Sequence, residues 1–220
     1  MKTIDLSTWP RRSHYEFFRR HAVPQFTICA ELDARDFKAR LKAAGLPLFM
    51  GLAWAACTAA NSVPELRVRI RKTGQGEDVV EHERLDPSVT VPLSGGRFNF
   101  CILAHAAALP EFVALNAPRL REAEQADGLT NIADDRDDMV FLSSLPWTRF
   151  TSLTFPVLGP DDTVPRVAWG RLTPENGALK LPVAVMGHHA LVDGRHLARL
   201  LDAFQSVLDS PQDALGAMLA

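Results

Sequence analysis

Apolar and polar positions change their spacing several times along this chain, and each change marks an element. Near the C-terminus Leu179, Leu181, Val183 and Val185 share one parity, while Lys180, Pro182, Ala184 and Met186 take the other. That two-residue alternation predicts a strand ending near Gly187. Beyond it Leu197, Leu200, Leu201, Phe204 and Leu208 recur at helical spacing, with Asp193-Gly194 ahead of them as a start signal. His188, His189 and Asp193 therefore fall in the turn between a buried strand and an amphipathic helix. Such a strand end holds a reactive side chain firmly. Parity carried one step further puts His189 on the face of Leu181 and Val185, turned toward the core.

The same reading covers the rest. Trp9 to Arg20 predicts a short helix with Pro10 in its first turn and Tyr15 and Phe18 facing inward. Phe26, Ile28, Ala30 and Leu32 alternate within a strand from Pro24 to Leu32. Asp33 is expected to cap a helix through Ala44, with Phe37 and Leu41 buried and Gly45 ending it. Pro47 to Ser62 is apolar nearly all round and predicts an enclosed helix. Leu66 to Arg71 and Val79 to Arg84 flank Gly74-Gln75-Gly76, a hairpin signature with no phosphate-loop fingerprint after it.

Further strands are expected over Ser88 to Leu93, Phe98 to Leu103, Met139 to Ser143, Thr151 to Val157 and Pro165 to Leu172. Pro110 to Asp127 predicts a helix with a solvated, charged face, and Asp134 to Asp138 a solvated acidic loop. Ser210 to Ala220 is a weakly specified tail. This irregular succession predicts an α/β (α+β) fold. It is a two-layer sandwich, with helices packed on a mixed β-sheet, in a single domain over residues 1–220.

Composition narrows the function classes. The chain has 220 residues, 47% apolar and 23% charged, enough for one substantial core. A net charge of −2 gives no argument for nucleic acid or an anionic membrane as partner. Cys29, Cys57 and Cys101 lie far apart in apolar settings, which favours reduced thiols over a disulfide framework. Met1 to Trp9 has no apolar run, and Leu46 to Ala60 is too short to span a bilayer, so the expected location is cytoplasmic.

Histidine is the side chain here that takes up and returns a proton near neutral pH. Asp193, at a helix start, is placed either to anchor the loop or to pair with an arginine from elsewhere. His188, His189, Asp193 and His196 match no zinc spacing, so no metal is expected.

His188 to Gly194 reads His-His-x-x-x-Asp-Gly and resembles the active-site motif of the chloramphenicol acetyltransferase family. Condensation domains and dihydrolipoamide acyltransferases carry versions of it. The likeness runs in order along nearly the whole chain, through Ile4 to Trp9, Arg11 to Phe17, Pro64 to Arg67, Asp86 to Val91 and Ser143 to Trp147. It implies an O-acetyltransferase with acetyl-CoA as co-substrate and a small-molecule hydroxyl as acceptor. Transfer is direct, with no covalent acetyl-enzyme. By this resemblance His189 matches the general base and Ser143 the hydroxyl that steadies the oxyanion. Asp193 matches the carboxylate that holds the loop, and Arg11 its partner. A homotrimer with active sites at the subunit interfaces is implied as well.

The acceptor side departs from the family. Phe18, beside Phe17, stands in place of a tyrosine, Phe141 in place of an asparagine and Ala168 in place of a threonine. On the CoA side Leu172 replaces a tyrosine and Arg171 a lysine. Lost hydrogen-bond partners usually discriminate against the old ligand. The expectation is therefore a different, more apolar alcohol or amine, with chloramphenicol a poor acceptor. Two alternatives stay open: a non-catalytic trimer that binds a small molecule, and a dihydrolipoamide acyltransferase-like core.

Overall fold

The computed structural model describes residues 1–74, 76–126, 129 and 136–210. In chain order its elements are β1 (Lys2–Thr3), α1 (Arg12–Phe18), β2 (Gln25–Asp33), α2 (Arg35–Ala43) and α3 (Leu48–Asn61). There follow β3 (Val68–Thr73), β4 (Gly76–Glu81), β5 (Asp86–Pro92), β6 (Phe98–Ile102) and α4 (Leu109–Gln125). The chain continues through β7 (Met139–Leu145), β8 (Arg166–Gly170), β9 (Thr173–Glu175), β10 (Ala178–His188) and α5 (Gly194–Asp209). Gln75, Asp134, Asp135 and the tail from residue 211, all part of the sequence-based expectations, lie outside the described residues.

The main sheet has the order β2-β10-β8-β7-β5-β6, with β9 also paired to β10. β7 runs parallel to β5 and β8, while β10 is antiparallel to β2 and β8, so the sheet is mixed. Leu181, Val183 and Val185 of β10 share one buried cluster with Val167 and Trp169 of β8 and Val140 and Leu142 of β7. Phe37, Trp54, Leu197, Leu200 and Phe204 of the helices complete that cluster. This is the helix-on-sheet packing expected from the alternation. A smaller antiparallel sheet, β1-β4-β3, stands apart from it.

Local chemistry sets the ends of these elements. Asp33 accepts the Arg35 N–H at 3.0 Å, although Ala34 occupies the N-cap position of α2. At its other end Gly45 has φ +68°, and the bonds Gly45 N–H to Lys42 O and Leu46 N–H to Leu41 O close the helix. α3 is enclosed from Met50 to Ala60, as its apolar composition requires.

Three expectations change. Pro64–Arg67 forms a 3-10 turn, and the strand begins only at Val68, because Pro64 supplies no amide donor. Thr151 to Val157 is not a strand. Leu153, Phe155 and Val157 are half-buried and their neighbours exposed, so the alternation is obeyed, but the segment has no ladder partner among the described residues. It carries the crossover between the parallel strands β7 and β8. Asp137 and Asp138 are tied down where a solvated loop was expected. Asp137 pairs with Arg71 and His82, and Asp138 with Arg136.

The main sheet forks. The β5–β7 ladder stops at Val89 opposite Leu142, while β7–β8 continues to Leu145 opposite Gly170 and β5–β6 to Pro92 opposite Phe98. Ser143 is the first residue past the split.

Gly187, one step before the histidine pair, has no room for a side chain. A Cβ there would lie 2.4 Å from Cγ2 of Val192, a branched side chain with little rotamer freedom. Gly187→Ala is expected to cost about 1–3 kcal/mol by overpacking, read as a lower melting temperature.

Candidate active site

The candidate site residues fall into two groups, and the fold sets them apart. The first lies where β10 ends and α5 begins. His189 is half-buried, its ring stacked on Phe18 with centroids 3.8 Å apart and 4° between the planes. Phe26, from the neighbouring strand β2, meets the imidazole at 4.6 Å. Phe17 is exposed and packs edge-on against Phe18. Nδ1 of His189 is buried with no hydrogen-bond partner among the described residues, which leaves Nε2 as the nitrogen available to an acceptor.

Backbone and side-chain bonds fix this turn. The His189 N–H donates to Pro24 O at 2.9 Å. Asp193 is the N-cap of α5, accepting the Arg195 N–H at 3.0 Å, while its own N–H donates to Nδ1 of His196. Arg11 donates to Asp193 at 2.9 Å and reaches His189 O at 3.4 Å. Burial works against the Asp193 carboxylate. The Arg11 hydrogen bond and the Arg195 N–H outweigh it and hold the carboxyl below its ordinary range.

A pH dependence follows from that shift. The stabilisation is complete above the ordinary carboxylate range and is lost as pH falls through the lowered value. Asp193→Asn keeps a capping side chain and removes the charge, so it should cost about 1 kcal/mol at neutral pH, the pair being part-exposed. The gap in melting temperature between variant and wild type should close on acidification.

The second group lies at the fork. A groove of about 1000 Å³ runs between β5 and β7, lined by Thr90, Leu93, Ser143, Leu145, Phe49 and Trp169. Arg171, Leu172 and the largely exposed Trp147 also line it. Ala168 is buried beside Ser143 in the β7–β8 register. Phe141 lies under the Arg166 guanidinium at 5.0 Å, and Arg166 pairs with Asp162. The sequence-based site residues thus divide. His189, Asp193, Arg11, Phe17 and Phe18 gather at one place, and Ser143, Ala168, Arg171 and Leu172 at another, with Phe141 two residues before Ser143 on β7.

The separation follows from the register. Ser143, Ala168 and Ala184 form one row across β7, β8 and β10, and His189 lies five residues beyond Ala184. At the usual strand rise and spacing, Ser143 and His189 of one chain are on the order of 20 Å apart. Sequence reasoning missed Phe26 and Pro24 as supports of His189, although the alternation of β2 already put Phe26 on the core face. It missed Phe49 and Trp169 in the groove for want of any local signal.

The model of the family described as chloramphenicol acetyltransferase matches residues 1–205. The chain belongs to the chloramphenicol acetyltransferase family. It is 32% identical over 212 residues to the chloramphenicol acetyltransferase of Streptomyces acrimycini, covering 94% of each chain. A solved chloramphenicol acetyltransferase superposes with a TM-score of 0.84 at 27% identity, covering 94% of this chain and 99% of that one. The dihydrolipoamide acetyltransferase of Azotobacter vinelandii, at 16% identity and a TM-score of 0.64 over 93% of this chain and 88% of that one, shares the fold. The protein is therefore an acetyl-CoA-dependent acetyltransferase of this family. Among the described residues no cluster of His, Cys, Asp and Glu is arranged to hold a metal, and no helix is long and apolar enough to cross a membrane.

Proposed function

We propose that the protein transfers acetyl directly from acetyl-CoA to a hydroxyl of a small molecule, at sites each shared by two copies of the chain in a homotrimer. The observation that carries this reading is the separation of His189 from Ser143. A base and an oxyanion donor that act on one carbonyl need to be within a few ångströms of it, and one chain holds them much farther apart. A second copy that brings its fork to the first copy's His189 completes the site.

In that site Nε2 of His189 takes the proton of the acceptor hydroxyl as its oxygen attacks the thioester carbonyl. Charge develops on the carbonyl oxygen and is met by the Ser143 hydroxyl. Collapse of the tetrahedral intermediate breaks the C–S bond, and the imidazolium returns its proton to the departing thiolate. Arg171, Leu172 and Trp147 at the groove mouth offer a cation and apolar surface for the CoA moiety. Arg11 and Asp193 keep the turn in place.

Phe17, Phe18, Phe141 and Ala168 supply the acceptor side. The expectation that chloramphenicol is a poor acceptor has no support from the relatives, since the most similar of those named above is a chloramphenicol acetyltransferase. Chloramphenicol is therefore the first acceptor to test, by thiol release against a panel of apolar alcohols and amines. No thiol release with any acceptor would favour a binding protein. Reaction confined to dihydrolipoamide would favour the lipoamide-type core.

The shared site is tested by co-assembling two inactive chains, His189→Ala and Ser143→Ala. In a randomly mixed trimer about a quarter of the interfaces join an intact His189 to an intact Ser143, and activity should return to about that fraction of wild type. No recovery in verified mixed trimers would rule the shared site out.

A further inference from the structure

The motif contains two histidines, and the mechanism uses the second. His188 is 2% exposed and has both ring nitrogens engaged. Its Nδ1 accepts the Ala190 N–H at 3.2 Å, and its Nε2 lies 2.9 Å from Pro160 O. An N–H pointing at Nδ1 requires a lone pair there, and a carbonyl facing Nε2 requires a proton there. The ring is therefore neutral, with its proton on Nε2. Burial favours the same state by lowering the affinity of His188 for a second proton.

The Ala190 N–H belongs to the peptide plane that leaves His189. The oxygen end of that plane is His189 O, which Arg11 reaches only at 3.4 Å, close to the limit of a hydrogen bond. The nitrogen end is held by His188. Among the described residues no hydrogen bond fixes the imidazole of His189: its Nδ1 is unpartnered there and its walls are the rings of Phe18 and Phe26. Its aim thus depends on the backbone beneath it. A shift of about an ångström in a reacting group is enough to cost some hundredfold in rate.

We propose that His188 is a positioning residue, whose bond to the Ala190 amide sets the peptide plane that aims His189. Its bond to Pro160 O ties the 158–162 segment to the same strand end. That segment is held independently by Gln25, which donates to Gly159 O and Asp162 O, and by the Arg166–Asp162 pair. The bond to Ala190 is therefore the one that matters for turnover.

The proposal rests on His189 as the base, and three substitutions separate the two questions. In His188→Asn the amide oxygen falls near the place of Nδ1 and accepts from Ala190. In His188→Gln the amide nitrogen falls near the place of Nε2 and donates to Pro160 O. His188→Leu makes neither bond. Thiol release is followed as kcat and KM on the assembled protein, with folding checked by circular dichroism. His188→Leu and His188→Gln are expected to lose about 10- to 100-fold in kcat with KM for acetyl-CoA within twofold, and His188→Asn to recover most of that loss. If His188→Leu does not fold, the order of the other two decides. His188→Gln as fast as His188→Asn, or a folded His188→Leu with wild-type kcat, overturns the proposal. Activity surviving in His189→Ala would instead remove the base itself, a distinct result.

Discussion

His189→Ala is expected to lower kcat by about 10³- to 10⁴-fold, the largest effect of any single substitution in this chain. An alcohol is a poor nucleophile until its proton is taken in the transition state, and positioned bases contribute about 10²- to 10⁴-fold. The upper part of that range applies because the stacked ring holds its free nitrogen in a half-buried slot between Phe18 and Phe26. The change should fall on kcat, with KM for acetyl-CoA little altered, since the groove lined by Arg171 and Leu172 lies elsewhere in the chain. Stability should fall by about 1 kcal/mol, from the ring packing lost against Phe18 and Phe26. The measurement is thiol release at saturating acceptor. Turnover within tenfold of wild type would remove the general-base role.

Ser143→Ala should cost about 10²- to 10³-fold in kcat, equivalent to about 3–4 kcal/mol of transition-state stabilisation, the usual loss for a removed oxyanion donor. Ser143 is on a paired strand, opposite Ala168, so its hydroxyl is pre-placed and no reorganisation is needed during reaction. The expected signature is equal loss in kcat and kcat/KM, as for a contact made only in the transition state. Ser143→Thr keeps a hydroxyl, so a partial return of rate would identify the hydroxyl as the active group. A loss confined to KM would instead place Ser143 in ground-state binding.

The two residues respond to different parts of the fold. His189 depends on the junction of β10 with α5, where Gly187, Asp193 and Arg11 set the turn. Ser143 depends on the fork, because a ladder continued between β5 and β7 would close the groove. Substitutions that stiffen or fill the fork should impair use of acetyl-CoA and leave the turn unchanged.

Much of this was legible in the sequence. Period-2 alternation in Leu179 to Met186 and helical spacing from Leu197 to Leu208 located the motif on its turn, since burial of one face imposes those periods. The same rule failed at Thr151 to Val157. Alternation reports which side chains are covered, and an extended crossover lying on the protein surface satisfies it as well as a paired strand does. Asp137 was misjudged for a similar reason. Its partner Arg71 comes from the small sheet and His82 from just beyond it, and a run of acids carries no mark of distant cations.

The sequence by itself determined the family and the secondary structure around the motif, and it named the candidate site residues, because all of these are written in residue type and short-range spacing. Only the tertiary structure decided that the β5–β7 ladder ends just before Ser143, that Phe18 and Phe26 clamp His189, and that one chain keeps His189 and Ser143 apart. Strand order and register are long-range pairings, set by which buried faces fit together across the whole core, and no local pattern encodes them.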